Sequence, residues 1–200
     1  MGRPAKFDRS EALQEAMEAI WEDGLERSSV KRLSERLGMT RSSFYNAFGS
    51  RDDLFREVLP SYRAISPDAL LHAPGTALPR ITAMFREVCR VRAADPDAKG
   101  CLIVNAICEL PAKQAGLSQD LGALFEKSVQ DIQAQLELAV DEGDLPQERD
   151  VHALALAVKN LLLGLNVMSK TVRNEGEMWL TAKTSLSALG LYDKRGDPGD

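Results

Sequence analysis

Long hydrophobic runs, a cysteine framework and clustered metal ligands are all missing from this chain, and each absence removes a class of protein. The most apolar stretch, residues 153–168, is interrupted by Lys159, Asn160 and Asn166. It falls short of the ~20 residues a membrane-spanning helix needs. Three cysteines (Cys89, Cys101, Cys108) are an odd number, which argues against a disulfide scaffold. Two histidines, His72 and His152, lie far apart and form no ligand spacing with a cysteine, so no metal site is expected. The basic start, Met1 to Lys6, is not followed by an apolar leader core. No phosphate loop, dinucleotide fingerprint or nucleophile motif occurs, so neither a cofactor nor a catalytic residue is assigned. These readings give a cytoplasmic protein without membrane association. Aromatics are scarce at 6%, while Ala, Leu and Glu abound. The expected fold is all-α.

The net charge of −5 hides an asymmetry. Residues 8–26 hold seven acids against one base, Arg9, whereas residues 27–51 hold six bases against one acid, Glu35. The second stretch also carries the clearest local structure. An amphipathic helix, Asp8 to Asp23, shows Leu13, Ala16, Met17, Ile20 and Trp21 on one stripe, with Asp8 as cap and Gly24 as stop. A short helix begins near Ser28 or Ser29 and turns Val30, Leu33 and Leu37 inward. After Gly38 and Met39, Thr40 caps a third helix, Arg41 to about Ala47. Ser50 caps a fourth, with Asp52 and Asp53 in its first turn, where the helix dipole favours acids.

Short helix, glycine-containing turn, short helix is the helix-turn-helix pattern. On the third helix Phe44 and Phe48 lie one turn apart and face inward. Ser42 and Asn46 project from the other side, flanked by Arg41 and Tyr45. Such a small, polar, cationic face suits base edges and phosphates. The alternative is a plain solvated face.

The run Gly38 to Phe55 (GMTRSSFYNAFGSRDDLF) resembles the DNA-binding domain of TetR-family transcriptional regulators. Phe44, Tyr45, Phe48, Arg51 and Leu54 carry the most specific part of the match, and Gly2-Arg3-Pro4 is common in that family. Ser34 and Ala47 depart from it, where Ala and an aromatic or histidine are usual. The resemblance implies a DNA-binding domain over residues 1–60. Arg41, Ser42, Ser43, Tyr45 and Asn46 would contact DNA, and Thr40 would both cap and bind phosphate. Arg51 and Lys6 would touch the backbone, and Arg3 would enter a minor groove.

Residues 61–192 are expected to form a helical effector-binding and dimerisation domain, and 193–200 a flexible tail. Residues 63–77, with Pro67, Pro74 and Gly75, read as a linker. Helices follow from Thr76 or Ala77 to Ala94, Cys101 to Leu110, Ser118 to about Gly143, Asp150 to about Val172, and Glu177 to Leu189. The helix from Asp150 is apolar on two sides. Leu154, Val158, Leu161, Leu165 and Met168 form one stripe, and Leu156, Leu163 and Val167 lie off it. A second subunit would cover the second side, making the chain a homodimer through its C-terminal helices.

Phe85, Phe125 and Met168 are candidate pocket linings, with Asn105 and Asn160 as polar anchors. Gly100-Cys101-x-x-x-Asn105 and the segment ending at Lys170 resemble one branch of the family that includes regulators responsive to electrophiles and oxidants. A thiol in the first turn of a helix has its thiolate favoured, and Lys170 would assist it. Cys108, seven residues on, would share the face of Cys101 two turns away, too far for a bridge within one helix. The resulting expectation is a repressor on palindromic double-stranded operator DNA, released by a small-molecule or electrophilic effector. The competing reading is an all-helical enzyme or ligand carrier without operator binding.

Overall fold

The computed structural model describes residues 8–110, 116–197 and 199. Arg3 and Lys6 lie outside them. The described residues form nine α-helices and two short 3-10 segments, with no strand among them.

Local capping sets the first four helices. Asp8 accepts hydrogen bonds from Ser10 and Glu11 N–H and starts α1 (Arg9–Asp23), and Gly24, at φ 87°, ends it. Ser29 accepts from Arg32 N–H at the start of α2 (Val30–Arg36). Thr40 accepts from Ser43 N–H at the start of α3 (Arg41–Phe48). Ser50 accepts from Asp53 N–H at the start of α4 (Arg51–Ile65). Each oxygen satisfies a backbone donor that has no partner inside the helix. The buried sides of α1, α3 and α4 meet as one cluster that includes Met17, Ile20, Phe44, Phe48, Phe55 and Val58.

The expected linker is ordered. Helix α4 runs through Pro60 to Ile65 because Tyr62 is buried and stacks edge-on against Trp21 of α1, 5.1 Å between centroids. A 3-10 turn, Pro67–His72, then buries Pro67 and Leu71. Next come α5 (Ala77–Ala94), α6 (Leu102–Glu109), α7 (Leu117–Asp141), α8 (Val151–Met168) and α9 (Glu175–Leu189).

Three boundaries differ from the sequence reading. Helix α7 starts after Gly116 (φ 86°), whose carbonyl accepts from Gln119 and Asp120 N–H, so Ser118 lies inside the first turn and is not the cap. Helix α8 stops at Met168, not Val172, where the Ser169 and Thr171 hydroxyls bind the carbonyls of Asn166 and Met168. Helix α9 starts two residues early because Asn174 caps it. The C-terminal segment expected to fray is docked as far as Asp197. Asp193 N–H donates to Thr82, and Asp197 is buried with Arg86 and Lys183 at 3.5 and 3.7 Å.

Helices α5, α7, α8 and α9 enclose a second core around Ile81, Phe85, Ile132, Leu136, Val158 and Leu162. Helix α6 belongs to the first core through Leu102 and Ala106, as does the start of α7 through Leu117 and Leu121. Helix α7 thus contributes to both cores, Leu117 and Leu121 to the first and Ile132 and Leu136 to the second.

Candidate nucleic-acid interface and effector cavity

Helix α3 buries Phe44 and Phe48 and leaves Arg41, Ser42, Ser43, Tyr45 and Asn46 exposed. Phe44 packs against Phe48 with centroids 5.3 Å apart and meets the Tyr45 ring edge-on at 6.1 Å. Tyr45 is nonetheless 52% exposed. The Ser43 hydroxyl is 2.9 Å from that of Thr40, so it completes the cap and is partly committed to it. Arg51 also has internal work. Its Nε and Nη2 donate to Asp52 at 3.0 and 2.9 Å, and Nη1 donates to the Leu25 carbonyl at 3.4 Å.

The basic stretch divides once its partners are seen. Arg36 pairs with Glu15 and Glu22 of α1, which accounts for part of the acidity of that helix. Lys31 reaches Glu35 only at 3.9 Å. Arg27, Arg32 and Arg41 are exposed and, among the described residues, carry no ion pair. Three cations held out to solvent around α2 and α3, next to a small polar helix face, make a surface that fits a polyanion with groove-borne hydrogen-bonding groups. Arg27 and Arg32 belong to the basic run, and the sequence alone does not separate them from its paired members. Their positions before and on α2 are what single them out.

Between the two cores lies a cavity of about 310 Å³, walled by the end of α4, the 3-10 turn and α5–α8. Its apolar walls include Val88, Ile103, Ile107, Leu124, Phe125, Leu162 and Leu163. Polar groups converge on it from four helices. Arg92 of α5 is 6% exposed, its Nε donating to Asn166 Oδ1 at 2.8 Å and its Nη2 to the Tyr62 hydroxyl at 3.2 Å. Tyr62 also accepts from Leu102 N–H at 3.2 Å, and Cys101 lines the same cavity. Burial, with Cys101 beside it, pushes the phenol above its ordinary pKa, against the pull of Arg92. Lys159 of α8 donates to Ser128 at 2.8 Å and sits 5.3 Å over the Phe125 ring. Burial holds its ammonium below the ordinary lysine pKa, against the opposing pull of Asp68 and Cys101.

The residues marked for the pocket scatter. Cys101 and Phe125 line the cavity. Phe85 is fully buried in the C-terminal core, and Met168 packs against that core. Asn160 is exposed on the outside of α8, and its neighbour Lys159 takes the inward position expected of it. Asn105 donates to the Lys99 carbonyl and, with Lys170 and Cys108, lines a separate outer groove beside Trp21. Lys170 reaches the same carbonyl at 3.4 Å. Cys101 and Cys108 therefore face different spaces. Cys101 is the N-cap, at φ −100° and ψ 123°, so the helical register that would align it with Cys108 begins only at Leu102. Nothing local in the sequence distinguishes Tyr62, Arg92 and Lys159 from ordinary core or surface residues.

Helix α8 is long and apolar enough to cross a membrane by length and composition, with mean hydropathy 1.6, yet its inner face fills the second core. Leu163 lines the cavity. Leu156 and Val167 stand 45% and 55% exposed, and Leu180 of α9 is 65% exposed.

Comparison with known proteins agrees with this geometry. Residues 12–58 match the family model for bacterial regulatory proteins of the tetR family. Residues 77–184 match the model for the tetracyclin repressor-like C-terminal domain. An uncharacterised HTH-type transcriptional regulator of Bacillus subtilis, YezE, is 29% identical, aligned over 94% of this chain and all of its own. The Escherichia coli HTH-type transcriptional repressor ComR is 26% identical over 92% of this chain and 90% of its own. A cysteine-substituted form of the TetR-family regulator CifR, solved with 26-base-pair operator DNA, superposes with a TM-score of 0.82 at 30% identity, covering 94% of this chain and 99% of that one. The helix-turn-helix over α2 and α3, the interlocked helical domain behind it and both family matches place this chain in the TetR family of bacterial DNA-binding transcriptional regulators.

Proposed function

We propose that the protein is a homodimeric repressor that sets α3 of each subunit into the major groove of a palindromic operator and leaves it when the cavity between the two cores is occupied. The observation that carries this reading is the exposed face of α3, Arg41, Ser42, Tyr45 and Asn46, flanked by the unpaired cations Arg27 and Arg32. Relatives named as repressors and a neighbour solved on operator DNA support it. The exposed Leu156, Val167 and Leu180 on α8 and α9 give two helices per subunit from which a four-helix interface can form. That interface fixes the separation of the two α3 helices at one helical turn, ~34 Å, or a multiple of it.

The coupling runs through α6. Its start lines the cavity, while Glu109 at its end accepts a hydrogen bond from Glu26 N–H in the loop before α2, at 2.8 Å. Trp21 of α1 donates to the Gly100 carbonyl at 3.0 Å, and Arg56 of α4 pairs with Asp120 of α7 at 2.7 Å. An effector that prefers one position of α6 shifts the population toward a DNA-incompetent spacing. Covalent modification of Cys101, which faces the cavity, is a second route to the same shift.

Binding to a selected operator should weaken steeply with salt. If three arginines from each subunit displace counterions, the slope of log affinity against log salt is about −5. A flat dependence would contradict the reading. Operator release by hypochlorite or a mild electrophile from wild type but not from Cys101→Ser would assign the covalent route. An equal response from both, or from neither, leaves Cys101 structural.

A further inference from the structure

The geometry points to a small organic carboxylate as the ligand of the inter-core cavity, its charge seated between Arg92 and Lys159 and its apolar body against Phe125, Leu124 and Leu162. This rests on the proposed role of the cavity as the effector site and specifies what that site takes.

Two cations reach this space without a carboxylate of their own. Arg92 is 6% exposed, and its hydrogen-bond partners, Asn166 Oδ1 and the Tyr62 hydroxyl, are both neutral. Lys159 hydrogen-bonds a neutral hydroxyl, Ser128 Oγ. Among the described residues neither has an ion-pair partner within 4 Å. A buried charge is ordinarily paired, because the desolvation cost of an isolated one is large. One buried and one half-buried cation, Arg92 and Lys159, in the wall of one cavity therefore specify an anion.

The acids nearby do not fill that role. Asp131 is ion-paired with Lys127, and Asp68 is exposed at the rim. Helix α6 adds to the field. Its N-cap Cys101 and first-turn residues Ile103 and Val104 line the cavity, which brings the positive end of the helix dipole to the same wall. The remaining walls are aliphatic and aromatic, which favours a carboxylate with an apolar body over an inorganic anion. At ~30 Å³ per water-sized group, 310 Å³ accommodates about ten non-hydrogen atoms.

The test measures binding of benzoate, phenylacetate and octanoate, each beside its primary amide, to the full-length DNA-free protein by calorimetry. At least one acid should bind, its amide should bind at least tenfold more weakly, and Lys159→Met should lose at least tenfold for the acid while Lys159→Arg retains most of it. Arg92→Met should lose the acid too, but Arg92 also holds Tyr62 and Asn166, so the Lys159 pair decides. Equal binding of acid and amide, binding unaffected by Lys159→Met, or no binding of any acid overturns the inference. Binding with the expected pattern but without release of DNA sustains the inference and rejects the role of the cavity in operator release.

Discussion

On α3 the side chains that hold the fold and those that face outward alternate along one short helix. Phe44 and Phe48 are buried, whereas Tyr45 and Arg41, on the same helix, are exposed. Tyr45→Ala and Arg41→Ala should each weaken operator binding by about 1–3 kcal/mol and leave the melting temperature within a degree or two. Mobility-shift titration beside thermal unfolding checks this, and joint loss of fold and binding would assign these residues to packing. Lys159 makes a prediction of opposite kind. Burial lowers its pKa in the folded state, so the unfolded chain binds more protons between that lowered value and the ordinary lysine value of 10.5. This group therefore makes stability rise with pH through that window, and its contribution is least favourable below it. Lys159→Met should be as stable as wild type or more so at neutral pH, by on the order of 1 kcal/mol. The difference should shrink as pH approaches the unfolded value. Urea unfolding at several pH values reads both trends.

Among the elements, those fixed by local chemistry were legible in the sequence and those fixed by packing were not. Asp8, Ser29, Thr40 and Ser50 each cap the helix that follows from within three residues, so the four N-terminal helices could be placed from the chain alone. The 3-10 turn at Pro67–His72 could not, because Leu71 is held by packing against the core that α5 forms with α7, α8 and α9, and not by a local cap or pattern. Apolar residues on two sides of α8 gave its amphipathicity no single phase. The sequence accordingly points Asn160 inward, whereas Lys159 is the residue that turns to the cavity. The link from α6 to the loop before α2 is equally non-local, joining Glu109 to Glu26 N–H across 83 positions. Glu109→Ala should leave ligand affinity within about twofold but reduce the ligand-driven loss of operator affinity. Coupling energies of this kind are typically 1–3 kcal/mol, and losing half of one would show as a several-fold change in release. Comparing ligand binding with and without DNA measures it, and an unchanged coupling would remove α6 from the route.

For the whole molecule, the acidic average of −5 conceals a cationic end, and a single subunit leaves apolar side chains of α8 and α9 in solvent. Both features make sense when two copies join through α8 and α9 and present two α3 helices to one duplex. Val167→Glu with Leu180→Glu should turn the dimer into a monomer in sedimentation, because four carboxylates would enter the interface, and operator affinity should fall with it. A variant that stays dimeric would place the interface elsewhere. The most direct test of the account is a footprint of the full-length protein on the DNA flanking its own gene at low salt. The account predicts an inverted repeat protected in two half-sites, centres one helical turn (~34 Å) or a small multiple apart. Absence of any protected inverted repeat, with the protein folded and dimeric, would contradict it.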